Sequence, residues 1–335
     1  MTSPLGRIVE IAEEGHHLSK ERGFLVISAG GAEVGRVPLD DIAAVLATAR
    51  GTSVSVALLA ALAGRGLPFV VPAANFAPAA LLWPLAGHHA ASRRMAAQIE
   101  RTRPMEKRLW ALVVAAKIRR QGWALQCLGR PAGAFARLAR AVKAGDPDNL
   151  EAQAARRYWP LLFDAGFRRD PDATGANALL NYGYAVLRAA VARSLCAAGL
   201  HPGLGIFHRH PQDPMPLADD MMEPFRPVVD EEVVRLLADG IVAVTVPAKR
   251  RLAALLLRDE QTAAGTSPLA TALLRCAASL ADSYLTGEPA LEFPVLRLKD
   301  TADDADPEWL PDHVVGTDVR SAGDDQAAAE GGDRL

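Results

Sequence analysis

Up to about residue 90 the chain runs in short apolar stretches separated by turn residues, and a longer helical rhythm follows. RIVEI, GFLVIS and EVGRVP are rich in β-branched residues and predict strands. Gly30-Gly31, between the last two, predicts a tight hairpin turn, because both central residues of such a turn take positive φ. IAAVLATA reads equally as a buried strand or a short helix. SVSVALLAALAGRG predicts a helix capped by Ser53 or Ser55 and ending near Gly64 or Gly66. LPFVVPA and AALLWPL add two strands. Runs this short cannot bury two faces alone, so residues 1–90 are expected to form a small sheet domain with one helix packed on it. His16-His17 and His88-His89 are adjacent pairs whose side chains point apart on a strand; they are read as turn or junction residues.

From Ser92 onward Ala, Leu, Arg and Lys recur at helical spacing, and Pro104 divides the first stretch into two helices. Further helices are predicted at Asp148–Phe163, Gly175–Ala198, from Asp220 through Asp230 and beyond, and at Ser267–Leu285. Asp148 with Glu151 three residues on reads as a capping box. The predicted fold class is α+β: a small N-terminal β-rich domain, then a larger all-α catalytic domain over 91–300. Residues 301–335 form an acidic, Gly/Ala-rich tail expected to be disordered.

Charge changes this picture. The net charge is −2, but residues 301–335 hold ten acids and two bases, which leaves 29 acids and 35 bases in residues 1–300. Within that body, Ser92 to Lys143 carries 13 Lys/Arg against Glu100 and Glu106 alone. A solvated helix surface explains such a run, and its one-sided sign also suits an anionic partner. No apolar stretch is long and uncharged enough to span a bilayer, and the N-terminus lacks a secretory pattern. Three scattered cysteines without a C-x-x-C spacing point to a reducing cytoplasm.

Metal-binding residue types gather in FHRHPQDPMPLADDMMEPFRPVVD. Asp220 and Glu223, three apart, would share a helix face, where a divalent cation would offset their repulsion. Pro211, Pro214 and Pro216 keep His208 and His210 off that helix, so the loop has to fold a histidine back towards the acids. Acids at a helix start also meet the helix dipole and need no metal. Glu151 in NLEAQAARRYWPLLF would be a third donor, arriving from another helix. Carboxylates plus one imidazole suit Mg²⁺ or Mn²⁺ better than structural zinc. Such a set, beside basic helices, fits metal-dependent phosphodiester chemistry on DNA. Asn181, Tyr182 and Tyr184 are read as packing and helix-to-helix hydrogen bonding.

Three blocks, NLEAQAARRYWPLLF, ANALLNYGYAVLRAAVARSLCAAGLHPGLG and LGIFHRHPQDPMPLADDMMEPFRPVVD, stand in the order and spacing of the CRISPR-associated spacer integrase, also called an endonuclease. GRVPLDDIAAVL and LLWPLAGHH also resemble that family, above all members from type II-like systems with a single RNA-guided effector nuclease. The resemblance covers about residues 6–298. It implies a metal site of Glu151, His208 and Glu223, with Asp220 as a supporting acid; His210 and Asp219 fall off the ligand positions. It implies Mg²⁺ or Mn²⁺ as cofactor, and a reaction in which the 3′-hydroxyl of a short DNA fragment attacks a phosphodiester at a CRISPR repeat. The implied partners are double-stranded DNA (spacer precursor and repeat), a second copy of the chain and a small second adaptation protein, in a prokaryotic cytoplasm. On charge alone, Arg93, Arg94, Lys117, Arg119 and Arg120 are the candidates for DNA-backbone contacts. A repair nuclease for branched DNA and a non-catalytic DNA-binding scaffold remain open as alternatives.

Overall fold

A computed structural model describes residues 7–298, apart from Ala12, Thr48, Arg50, Pro68, 73–77, 83–89, Ala264 and Arg297. The acidic tail and the His88-His89 pair lie outside the described residues.

The N-terminal part builds two sheets. One has the order β1 (Arg7–Ile11), β5 (Ile42–Ala47), β7 (Phe69–Pro72), β8 (Pro78–Leu81), parallel up to its last, antiparallel pair. The other has the order β4 (Ala32–Pro38), β3 (Phe24–Ala29), β2 (His16–Glu21), β6 (Ser53–Val54). Both sheets and α1 (Val56–Gly64) feed one core of Ile11, Leu18, Leu25, Ile42, Val45, Leu58, Leu62 and Phe69. Ser55 caps α1, its side chain accepting from the Leu58 amide. The ambiguous IAAVLATA is strand β5, paired on both sides by parallel neighbours. Gly30 and Gly31 turn the β3–β4 hairpin with φ of 57° and 83°, as two left-handed central residues require.

β2 departs from the sequence reading. His16 and His17 open a strand instead of a turn, and His17 Nδ1 lies 2.8 Å from Ser53 Oγ on the parallel neighbour β6. HHLSKE buries only Leu18, so its polarity hides a strand that pairing on both sides creates.

The remainder is largely helical: α2 (Ala91–Ile99), α3 (Arg103–Cys127), α4 (Gly133–Ala141), α5 (Leu150–Leu162), α6 (Ala176–Ala197), α7 (Pro216–Met222), α8 (Arg226–Ala238), α9 (Val246–Ala254) and α10 (Leu269–Thr286). The expected break at Pro104 separates α2 from α3. The region is not all-α: β9 (Asp259–Thr262) and β10 (Gly265–Pro268) form a hairpin within it. α4 and α9, short and rich in Ala and Arg, also escaped the sequence reading. α3 is buried on several sides and carries α4, α5 and α8 around it, so it is the axle of this second core. No helix among the described residues is long and apolar enough to cross a membrane.

The fold overturns two candidate DNA contacts. Arg120 faces inward and forms a bidentate pair with Glu260 of β9, at 2.6 and 2.7 Å, both side chains buried. Lys117 also turns inward. Both sit on α3, where a charge run read from sequence gives no indication of which side the neighbouring helices cover. Arg94 is half-buried and donates to the Ala198 carbonyl and to Asp282, while Arg93 and Arg119 are exposed.

Candidate active site

Four segments converge beside α3. The first turn of α5 brings Glu151. Its cap is not Asp148, which pairs with Lys143 at 3.2 Å. Instead Asn149, at φ 49°, accepts from the Ala152 amide, and Asp146 accepts from the amides of Leu150 and Glu151 at 2.9 and 3.0 Å. Two side chains thus hold the helix start that carries Glu151.

The loop between α6 and α7 brings His208, and the prolines do leave it free to fold back. Asp220 on α7 fixes it. The fully buried carboxylate accepts from the amides of Ile206 (2.6 Å), Phe207 (2.9 Å) and His208 (3.1 Å), and pairs with His208 Nδ1 at 2.7 Å. Gly205 lets the loop close this tightly: a Cβ there would run into the His208 carbonyl oxygen and press on Asp220 Oδ2. From α2, Gln98 bonds the His201 and Leu204 carbonyls at 2.9 and 3.3 Å, and Arg101, in the link to α3, bonds the Gly205 carbonyl at 2.6 Å. Asp220 therefore orients the ring from behind, leaving Nε2 as the outward nitrogen. Burial opposes protonation of His208, but the Asp220 hydrogen bond and the charges of Asp220, Glu223 and Glu151 raise its pKa.

Glu223 begins the 3-10 turn Glu223–Phe225, where Pro224 breaks the helix; it therefore serves different partners from Asp220. Its Oε1 meets Arg226 Nε at 3.0 Å and its Oε2 meets Lys117 Nζ at 2.6 Å. Lys117 Nζ is also 2.6 Å from Glu151 Oε1, so one ammonium joins the two acids. The ammonium donates to Glu151 and stands equally close to buried Glu223 Oε2. Burial would raise the Glu223 pKa, but Arg226 and Lys117 hold it at about 2.

Behind Glu223, the Arg226 guanidinium stacks 4.9 Å from the Tyr184 ring. The Tyr184 hydroxyl donates to Asp230, as does that of Tyr158 at 2.9 Å. The tyrosine thus ties helix to helix as read from sequence, and Tyr182 reaches Glu10 of β1 at 3.1 Å. Burial pushes the Asp230 carboxyl up to about 7, against both phenol hydrogen bonds. A carboxyl whose pKa rises on folding stabilises most at low pH, and that stability is lost as pH climbs through the folded value. Asp230→Asn, which does not ionise, is therefore expected to gain in Tm relative to the parent between about pH 4 and pH 7. Parallel melting profiles would contradict it.

The outer rim is aromatic and basic. Phe207, 51% exposed, stacks on Trp110 with ring centres 4.2 Å apart. Buried Glu106 gathers Arg101 (3.1 Å), Arg103 (2.9 Å) and Arg209 (2.6 Å), and the last two face solvent. The single carboxylate leaves this cluster an excess of two positive charges. Sequence reasoning missed Gln98, Gly205, Phe207, Arg209 and Arg226; only the glycine of the G-x-x-H spacing carried a local signal. Asp219 pairs with Arg188 at 2.6 Å, and His210 Nδ1 accepts from the Gln212 amide at 3.3 Å.

Among the described residues, no three His, Cys, Asp or Glu side chains stand together as a ready metal cage. Glu151, Glu223 and His208 nevertheless fit a hard divalent ion by donor type, and Glu151 and Glu223 already meet at one cation, Lys117 Nζ.

Comparison with known proteins agrees with this architecture. Residues 9–264 match the family model described as CRISPR associated protein Cas1. A relative from Neisseria meningitidis, named CRISPR-associated endonuclease Cas1, is 39% identical over 232 residues, 69% of this chain and 76% of that one. Among solved structures, a casposase bound to integration product aligns over 86% of this chain and 93% of its own, with TM-score 0.71 and 18% identity. The Cas6-RT-Cas1–Cas2 complex aligns over 89% of this chain and 37% of its own, with TM-score 0.68 and 16% identity.

Proposed function

The chain belongs to the Cas1 family of CRISPR-associated proteins, and from that membership we propose that it inserts short DNA fragments at CRISPR repeat ends by metal-dependent transesterification. The observation that carries this reading is the meeting of Glu151 and Glu223 at one cation position, beside a histidine that Asp220 aims. Glu151, His208 and Glu223 are the residues that would hold Mg²⁺ or Mn²⁺. When bound, the ion supplies charge stabilisation for the phosphoryl oxygens and the departing oxygen. Asp220 keeps His208 in the orientation and tautomer that offers Nε2. Arg226 keeps Glu223 ionised. The 3′-hydroxyl of the fragment forms the new P–O bond as the repeat's own P–O bond breaks; water in place of that hydroxyl gives cleavage instead.

The basic rim supports double-stranded DNA as the substrate. Arg103 and Arg209, held by Glu106, join exposed Arg93 and Arg119 as contacts for phosphates, which position DNA without reading its sequence. A small second adaptation protein is the proposed partner, in keeping with the Cas2 named in the aligned complex. The homodimer contact is assigned to the N-terminal sheets, where β4 is an edge strand with Val34 exposed.

The test is strand transfer by purified protein, with and without the small partner, on a repeat-containing plasmid and short duplexes across divalent ions. Ion-dependent joined product is expected. Nicking without joining assigns the protein to branched-DNA repair, and joining that survives EDTA removes the metal from the reaction. In the same assay Arg209→Ala is expected to weaken DNA binding about equally for all sequences and to lower the salt slope by about one. An unchanged slope would take Arg209 off the DNA path.

A further inference from the structure

We propose that Lys117 is a tethered cation that holds Glu151 and Glu223 together in the metal-free protein and gives way to the divalent ion, so that ion binding is an exchange of one cation for another. The inference rests on the metal reading of the site given above. The geometry is that of a stand-in. Lys117 Nζ lies 2.6 Å from an oxygen of each acid, and the side chains of Lys117 and Glu223 are 15% and 6% exposed. Two carboxylates that reach the same point, Glu223 buried and Glu151 23% exposed, need a counter-charge between them, because charge is costly to bury unpaired. Arg226 cannot be that charge for both, since its contact here is with the other Glu223 oxygen.

Lys117 shares one ammonium between the two acids, at the same 2.6 Å from each. A divalent ion held by the same two acids would supply twice the charge. The two cations do not share the space: an ammonium left in place would repel the incoming ion at contact range. The backbone cannot yield, because the α3 residues on either side, Ala116 and Ile118, are buried in the core. The flexible four-carbon stem can, by rotamer change alone. This arrangement gives the apo site its shape and sets a cost on ion entry, since each bound ion has to evict a hydrogen-bonded lysine.

The test uses the full chain, free of DNA, and Mn²⁺ alone as the probe. Lys117→Met keeps most of the stem and removes the charge. Calorimetric titration is expected to show Mn²⁺ bound at least about 10-fold more tightly than by the parent. Melting in EDTA is expected to fall for the variant, and its rise on adding Mn²⁺ to exceed that of the parent. Equal or weaker Mn²⁺ binding by the variant overturns the role of Lys117 and leaves the metal site standing. No binding by either protein overturns the metal reading itself, and this inference with it. If Lys117→Met folds only with Mn²⁺ present, that too is the expected behaviour. If it folds under neither condition, Lys117→Gln, which keeps a donor but no charge, is measured by the same two criteria.

Discussion

His208→Ala is expected to lower strand transfer by roughly 10²- to 10⁴-fold, the equivalent of losing several kcal/mol of charge stabilisation at the reacting phosphate. The fold should barely register the change. His208 is part-exposed, and the loop is held by backbone bonds to Asp220 and by Gln98 and Arg101, none of which needs the imidazole. A stability loss near 1 kcal/mol is expected, the size of one hydrogen bond. Asp220→Asn should behave differently. It keeps a side chain of the same shape but weakens three amide bonds and the orientation of His208, so activity should fall about 10- to 100-fold together with a clear loss of Tm. Equal activity losses with no difference in melting between the two variants would show that Asp220 does not act through the loop. Full strand transfer by His208→Ala would remove His208 from the chemistry.

Arg120→Ala is expected to destabilise the protein by about 3 kcal/mol or more, through Glu260 left in the core with half its counter-charge. Arg258 remains 3.2 Å from Glu260, which keeps the loss from being greater. The paired replacement Arg120→Met with Glu260→Leu removes both buried charges and should recover most of that loss. Denaturant melts of the single and double variants measure this directly. DNA affinity of the folded double variant should match the parent, because Arg120 never reaches the surface. A double variant that is stable but binds DNA weakly would restore Arg120 as a backbone contact.

Particular residues show what was legible beforehand. Gly30-Gly31 announced its hairpin, because a turn of two left-handed residues leaves few other choices. The neighbouring β2–β3 turn uses Arg22 and Gly23 at positive φ, and an arginine there gives no such warning. Glu151 falls at a helix start, as its sequence context predicts, but Asn149 and Asp146 hold that start instead of the predicted cap Asp148. The left-handed backbone at Asp146 and Asn149 decides which side chain reaches the free amides, and local spacing does not encode it. Asp220 and Glu223 looked like a pair on one face. They part company because Pro224 changes the helix geometry between α7 and α8, and because the amides of 206–208 claim Asp220.

By itself the sequence determined the change from short strands to longer helices near residue 90, the β3–β4 hairpin at Gly30-Gly31 and the break at Pro104. Each of these depends on periodicity, backbone restriction or side-chain type within a short window. Tertiary structure alone decided where each charge goes: Lys117 to the two acids, Arg120 into the core, Arg103 and Arg209 to the rim around Glu106. Those choices depend on desolvation and on contacts between segments far apart in the chain. A basic residue on a helix looks the same in sequence whether its side is dry or wet.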